Sequence, residues 1–283
     1  MLNKRVHIET WGCQMNVADS ERILSLLAKE QYKRATSEHD ASLIVLNTCH
    51  IRAKAKHKVI SRLGQLRNLK SNRQNLKIAV VGCVAQAEGK KLIAAAPYVD
   101  YVLGPSKLEQ LPALLKQDSA VAVGFKDAND VSDTTASPAL SGRQEVSRFL
   151  NIMQGCNNYC TFCVVPFTRG PEKSVAMPIL VAQAQSLLAT GAKEITLLGQ
   201  NVNSYGNDLE QRASNPFVEL LYTIGSLPNL QRLRFTTSNP HDFSAALVKC
   251  FADVPTLGRY THLPVQSGSD VILQKMRRKT NVA

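Results

Sequence analysis

Short β-branched or apolar runs recur along this sequence, each followed by apolar residues at helical spacing, and that alternation restricts the chain to an α/β fold on parallel strands. Residues 6–9, 43–46 and 78–81 are candidate strands of a first series, the latter two with the continuous apolar character of strands buried on both faces. Helices are expected behind them. Asp19 or Ser20 can cap one that carries Ile23, Leu24 and Leu27, while Ala55, Val59 and Leu63 form an i, i+4, i+8 stripe on another. A second series has candidate strands at 149–153, 194–198, 233–236 and 260–263, and only about four such units fit before Ala283. Between the series the chain turns polar and small, with Asp127, Asn129, Asp130, Ser132 and Asp133 ahead of Pro138. The expected organisation is a parallel α/β domain over 1–117, a linker over 118–147 and a second strand-helix domain over 148–283. At 283 residues and 44% hydrophobic content, each half can bury a core of its own.

The cysteines follow this framework. Cys156, Cys160 and Cys163 form a Cys-x3-Cys-x2-Cys run on one short loop after a candidate strand. Soft thiolates favour iron, and three of them can hold three irons of a 4Fe-4S cluster while the fourth iron stays open. An open iron can chelate the amino and carboxylate groups of S-adenosylmethionine and pass an electron into its sulfonium bond, which makes a 5'-deoxyadenosyl radical. A structural zinc site is the competing reading, but it normally needs a second ligand pair, and none follows. Phe162, next to the last cysteine, fits a ring beside such a cluster and the cofactor's adenine, or else ordinary core.

Cys13, Cys49 and Cys83 lie 36 and 34 residues apart, each just after a candidate strand. That interval is about one strand-helix-strand unit, so a parallel sheet would gather the three at the edge where α/β sheets hold ligands. The spacing suits a second cluster, with buried structural thiols as the alternative. Gly12 and Gly82 precede two of them and allow close backbone approach to a cofactor. Cys250, among Leu247, Val248 and Phe251, reads as core.

Residues 1–10 mix polar with apolar side chains and contain no signal or membrane-span run, so a cytoplasmic protein with no membrane association is expected. In a reducing compartment seven cysteines favour metal binding or catalysis over disulfides. The formal charge of +12 favours polyanions such as RNA. Basic residues cluster at Arg52, Lys54, Lys56, His57, Lys58 and Arg62 and at Lys275, Arg277, Arg278 and Lys279, where a solvated face is the default.

TWGCQMN (10–16), VLNTCHIRAKAKHKV (45–59), VVGCVAQAEG (80–89), MQGCNNYCTFCVVPFTRG (153–170), LLGQNVNSYG (197–206), RFTTSNP (234–240) and HLPVQSGSD (262–270) together resemble the methylthiotransferase family of radical S-adenosylmethionine enzymes over nearly the whole chain. Gln14, Met15 and Asn16 are similar to the branch that makes 2-methylthio-N(6)-dimethylallyladenosine in tRNA, rather than those acting on threonylcarbamoyl-adenosine or a ribosomal protein. The resemblance implies an α/β methylthiotransferase domain followed by a partial radical SAM (βα) barrel, two 4Fe-4S clusters, and a tRNA substrate with a prenylated adenosine beside the anticodon. It also implies a sulfur source, an electron donor and two uses of S-adenosylmethionine, as methyl donor and as radical source. Carried over, Cys13, Cys49 and Cys83 would hold an auxiliary cluster and Cys156, Cys160 and Cys163 the radical cluster. Gly199, Gln200, Ser238 and Gln266 fall just after expected strands, where a barrel places its active site, and could contact the cofactor or equally be turn residues. A monomer is expected.

Two departures qualify this. Val175 stands where the family's pattern has an arginine. By the resemblance, further strand-helix units and an RNA-gripping β-barrel are expected that these 283 residues do not include, so the chain is expected to be a fragment or a truncated product, with 260–263 an unpaired edge and activity impaired. Other expected readings are a methylthiotransferase for another target, or a non-catalytic iron-sulfur protein.

Overall fold

The computed structural model describes residues 4–50, 53–125, 145–210 and 214–282; Arg52 and the greater part of the expected linker, 126–144, lie outside the described residues. The chain divides into two compact units. Among the described residues, the first takes those up to 125 together with Phe167–Arg169, and the second takes the others.

In the first unit the order is β1 (Arg5–Trp11), α1 (Gln14–Lys29), β2 (Lys33–Arg34), β3 (Leu43–Thr48), α2 (Ala53–Ser71), β4 (Lys77–Gly82), α3 (Cys83–Glu88), α4 (Lys90–Ala95), β5 (Tyr101–Leu103), α5 (Leu111–Leu114) and β6 (Ala120–Ala122). The strands pair in the order β2-β1-β3-β4-β5-β6, all parallel. Both faces are covered. Ile44, Leu46, Ile78 and Val80 pack with Val59, Leu63 and Leu66 of α2, and Leu43, Val45, Ala79 and Val81 pack on the other face with Ile23 and Leu27 of α1 and with Leu108 and Leu111. That is why β3 is apolar without alternation in its first four residues. Each fully buried Leu, Ile or Val contributes roughly 1.5–3 kcal/mol relative to exposure.

Two expectations are corrected here. Helix α1 starts at Gln14 with Cys13 as its N-cap, because the Cys13 carbonyl already accepts from Asn16 N at 2.9 Å. Asp19 and Ser20, expected as caps, are buried inside the helix. Ala120–Ala122, expected in the linker, form the last strand of the sheet, with Tyr101–Leu103 as partner.

The second unit contains β7 (Ser147–Asn151), β8 (Met153–Gln154), β9 (Lys173–Ser174), α7 (Met177–Ala189), β10 (Glu194–Leu198), α8 (Pro216–Gly225), β11 (Arg232–Phe235), α9 (Ala245–Asp253) and α10 (Asp270–Lys275); α6 (Val165–Thr168) ends in residues grouped with the first unit. Its parallel sheet has the order β11-β10-β7, and β8 and β9 form a small antiparallel pair. Ile195, Leu197, Leu233 and Phe235 pack against α7 and α8, with Phe217 edge-on to Phe235 at 5.2 Å between centroids. Cys250 belongs to this core, as expected.

The expected strand at 260–263 is absent. Past β11 the chain makes one bridge, Leu233 to Leu257, and then runs irregularly, with Tyr260 exposed. The backbone bonds between Leu233 and this segment involve Thr256 O and Gly258 N, each at 2.8 Å, and beyond them Ser238 N meets His262 O at 3.2 Å outside any strand, so no ladder forms among the described residues. Val175 is partly buried against the core; its N donates to Ile152 O at 2.9 Å and its carbonyl accepts from the Tyr205 hydroxyl at 2.7 Å.

Candidate functional site

In the first unit, the strand order reverses direction of growth between β1 and β3, the place where open parallel sheets hold ligands at their carboxyl ends. The register there aligns Trp11 with Thr48 and Thr48 with Gly82. Cys49 and Cys83 are therefore the next residues of two adjacent aligned strands, and Cys13 follows the third by one turn residue. The Cys13 thiol meets Cys49 and lies 3.4 Å from Asn16 Oδ1. The hydrogen bond from Cys49 is the main reason its pKa is held down at about 6; burial works the other way, and Arg169 assists.

A buried polar network lies behind these thiols. Asn16 Nδ2 donates to Asn47 Oδ1 at 2.9 Å, Asn47 Nδ2 donates to Asn16 O at 2.7 Å and to Ser20 Oγ at 2.9 Å, and Ser20 Oγ meets Thr10 Oγ1 at 2.7 Å. The two glycines serve this network. A Cβ on Gly12 would come within 2.3 Å of Asn16 Oδ1, and one on Gly82, whose φ is +89°, within 2.7 Å of Asn47 Oδ1 and of Thr48 O. Arg169 Nη2 donates to Asp19 Oδ2 at 2.7 Å, and both side chains are buried. Burial alone would favour loss of the arginine proton, but Asp19 first, then Cys83 and Cys13, outweigh it and raise the pKa.

In the second unit, Cys156 N donates to Gly170 O at 3.1 Å and Gly155 N to Gln200 Oε1 at 2.5 Å, which pin the start of the cysteine loop to the segment after α6 and to the turn after β10. Asn157 and Glu172 exchange bonds: Asn157 N reaches Glu172 Oε1 at 3.3 Å and Glu172 N reaches Asn157 Oδ1 at 3.1 Å. Burial pushes the Cys156 and Cys163 thiols up. Among the described residues, no three His, Cys, Asp or Glu side chains converge as the ligands of one metal ion do. Thiolates of a cluster each bind a different iron, so convergence on one point is not required of them.

The polar atoms around the strand ends fit a ligand rich in charged and hydroxyl groups. Asn151 Oδ1, Asn201 Oδ1, Ser238 Oγ and Thr261 Oγ1 are buried and find no hydrogen-bond partner among the described residues, and such groups are costly to leave unmatched. The other expected contacts divide. Gln200 holds the cysteine loop, Gly199 makes room for Met153, whose Cγ would lie 2.6 Å from an added Cβ, and Gln266 is exposed at φ +73°. Phe162 is 52% exposed, so it is not core. Among the basic residues, Arg62 pairs with Glu9, its Nε 3.0 Å from Oε1, Lys56 pairs with Glu88 at 2.7 Å, and Lys54, His57 and Lys58 are exposed. Sequence reasoning missed the buried roles of Asp19, Arg169, Asn16 and Asn47, having read Asp19 only as a helix cap and Asn16 only as a mark of the family branch; the signal was polar residues at positions where a core helix or strand should be apolar.

The chain matches two family profiles, the Uncharacterized protein family UPF0004 over residues 5–104 and the Radical SAM superfamily over residues 150–283. It is 44% identical over 99% of its length to a tRNA-2-methylthio-N(6)-dimethylallyladenosine synthase of Anaeromyxobacter dehalogenans (strain 2CP-C), covering 59% of that protein. A synthase of the same name from Geobacter sulfurreducens is 43% identical over 98% of this chain, with 62% of its own length covered. Among solved structures, the cobalamin-dependent S-adenosylmethionine radical enzyme OxsB matches with TM-score 0.64 at 14% identity, over 99% of this chain and 46% of that one. The radical S-adenosylmethionine methyltransferase TsrM from Kitasatospora setae matches with TM-score 0.61 at 14% identity, over 95% of this chain and 60% of that one. These two likenesses speak to the fold. No helix among the described residues is long and apolar enough to cross a membrane. The chain spans about 59–62% of the length of the curated relatives described above.

Proposed function

The chain belongs to the radical SAM methylthiotransferase family, and from that premise we propose that it adds a methylthio group to carbon 2 of an N(6)-prenylated adenosine beside the anticodon of tRNA. A radical SAM domain implies S-adenosylmethionine and a 4Fe-4S cluster. When bound, they supply a carbon-centred radical able to attack an aromatic C–H that side-chain acids and bases cannot.

The chain's own residues divide the work. Cys156, Cys160 and Cys163 hold the radical cluster, on a loop that Gln200 and Gly170 keep in place. Ser238, Asn151, Asn201 and Thr261 offer buried polar atoms to the cofactor's amino, carboxylate and ribose groups. Cys13, Cys49 and Cys83 hold an auxiliary cluster for sulfur, with Arg169 balancing the thiolates' negative charge. Sulfur source and electron donor are separate partners, and the +12 charge favours the tRNA backbone. The chain works in the cytoplasm as a monomer.

The observation that carries this reading is the register that aligns Trp11, Thr48 and Gly82 and so brings three thiols to neighbouring strand ends, in a chain that has a second thiol triad on one loop. Anaerobically reconstituted protein should hold roughly eight irons, falling to roughly four when Cys156, Cys160 and Cys163 are replaced by Ala. It should cleave S-adenosylmethionine reductively to 5'-deoxyadenosine, and nucleoside analysis of prenylated tRNA should reveal the methylthio product. Roughly four irons in the unaltered chain would sink the auxiliary cluster. Absence of 5'-deoxyadenosine would sink the radical chemistry.

A further inference from the structure

Of the four basic residues near the end of the chain, Lys275, Arg277 and Lys279 are exposed, and Arg278 is not. Its Nη2 donates to Pro264 O at 2.9 Å and its Nη1 lies 3.8 Å from Cys160 Sγ, within reach of a weak N–H to sulfur bond. Its Nε is buried with no partner among the described residues. A guanidinium presents its donors in a rigid plane, so two fixed contacts aim the whole group.

We propose that Arg278 is a positioning residue for the radical cluster: its guanidinium, anchored on the Pro264 carbonyl, donates to the Cys160 sulfur and sets the cluster's reduction potential. This rests on the reading of Cys156, Cys160 and Cys163 as cluster ligands. The physical reason is charge. Taking up one electron from a one-electron reductant adds a negative charge beside the thiolates, and a nearby fixed cation stabilises the reduced form more than the oxidised one. Potentials of iron-sulfur centres follow net charge, hydrogen bonds to sulfur and solvent exposure.

A packing role is separable from this one. The segment that carries Arg278 is tied to the cysteine loop by backbone as well: Thr161 N donates to Met276 O and Thr161 Oγ1 to Lys275 O, each at 3.3 Å. Arg278 N itself bonds to Leu273 O at 2.8 Å, closing α10. These contacts do not use the Arg278 side chain.

The test compares the full chain with Arg278→Gln, Arg278→Lys and the exposed control Arg277→Gln after anaerobic reconstitution. Iron and sulfide are measured first, and Cys156→Ala must lower them; if it does not, the assignment of the triad has failed rather than the role of Arg278. The readout is an EPR-monitored redox titration of the signal that changes when S-adenosylmethionine is added. In Arg278→Gln, the reduced-to-oxidised ratio at a fixed potential should fall about tenfold, about 59 mV for a one-electron couple. Arg278→Lys should fall less, and Arg277→Gln should match the unaltered chain. Loss of iron from the Gln variant but not the Lys variant also supports the role. An unchanged potential with iron retained, an equal shift in Arg277→Gln, or loss of iron from both Arg278 variants overturns it.

Discussion

Asn16 and Asn47 hold each other by two hydrogen bonds, Asn16 Nδ2 to Asn47 Oδ1 at 2.9 Å and Asn47 Nδ2 to Asn16 O at 2.7 Å, and both side chains are fully buried. The same Asn16 presents its Oδ1 to the Cys13 backbone N at 3.3 Å, so the pair links the ends of β1 and β3 to the first thiol. Replacing Asn47 by Leu removes one partner and strands the buried Asn16 amide. The expected cost is about 1–3 kcal/mol, read as a lower urea midpoint of the cluster-free protein. Iron content should fall in the same variant, because the Cys13 turn loses its support; unchanged stability and iron would refute the network's importance.

Two glycines give opposite expectations. At Gly82, φ is +89° and an added Cβ would lie 2.7 Å from the Thr48 carbonyl, so Gly82→Ala should destabilise by about 1–3 kcal/mol. Gly64 sits in the interior of α2 with nothing within 4 Å of an added Cβ. Gly64→Ala should therefore stabilise by about 0.5–1 kcal/mol. Thermal melts of the two variants side by side decide both, and a stabilised Gly82→Ala would contradict the crowding.

These residues also mark how far the sequence carries. Leu43 to Leu46 and Ile78 to Val81 could be read as buried strands because burial on both faces leaves a continuous apolar run, and the thiols that follow them inherit their places from the sheet. The start of α1 could not be read, since Cys13 caps it through its backbone and no Ser, Thr, Asp or Asn marks the spot. Ala120–Ala122 are short and carry little β signal; pairing with β5 decides them. Tyr260 to Leu263 carry aromatic and β-branched residues but make no ladder. Arg278 stood in a basic run whose default is solvent, and only tertiary packing turns it onto Cys160.

Asp19 and Arg169 form a buried ion pair at 2.7 Å, 2% and 3% exposed. Removing one partner leaves the other charge buried without its main counter-ion, which costs about 3–5 kcal/mol. Asp19→Ala should therefore lower the urea midpoint sharply. The double variant Asp19→Leu with Arg169→Met should recover much of that loss, since two apolar side chains of similar size carry no desolvation cost. A double variant as unstable as the single would show that the pair has a packing role no apolar replacement fills.

Glu194 gives a pH signature confined to the second unit. Burial alone would raise its pKa, but Arg232 at 3.0 Å, Ser147 at 2.9 Å and Arg234 at 3.3 Å outweigh it, and the carboxyl is held below its usual value. A depressed carboxylate stabilises the fold above its unfolded pKa, and that contribution is lost as pH falls through the folded value. Both arginines are 40% exposed or more, so solvent screens the pairs, and the contribution at neutral pH should be about 1 kcal/mol or less. Glu194→Gln should thus be slightly less stable than the unaltered chain at pH 7, and the gap should narrow once the pH drops below about 4. Urea midpoints at pH 7 and pH 3 test this, with the pH 7 gap also shrinking in 1 M salt. A gap that stays constant across the pH range would assign the effect to shape rather than charge.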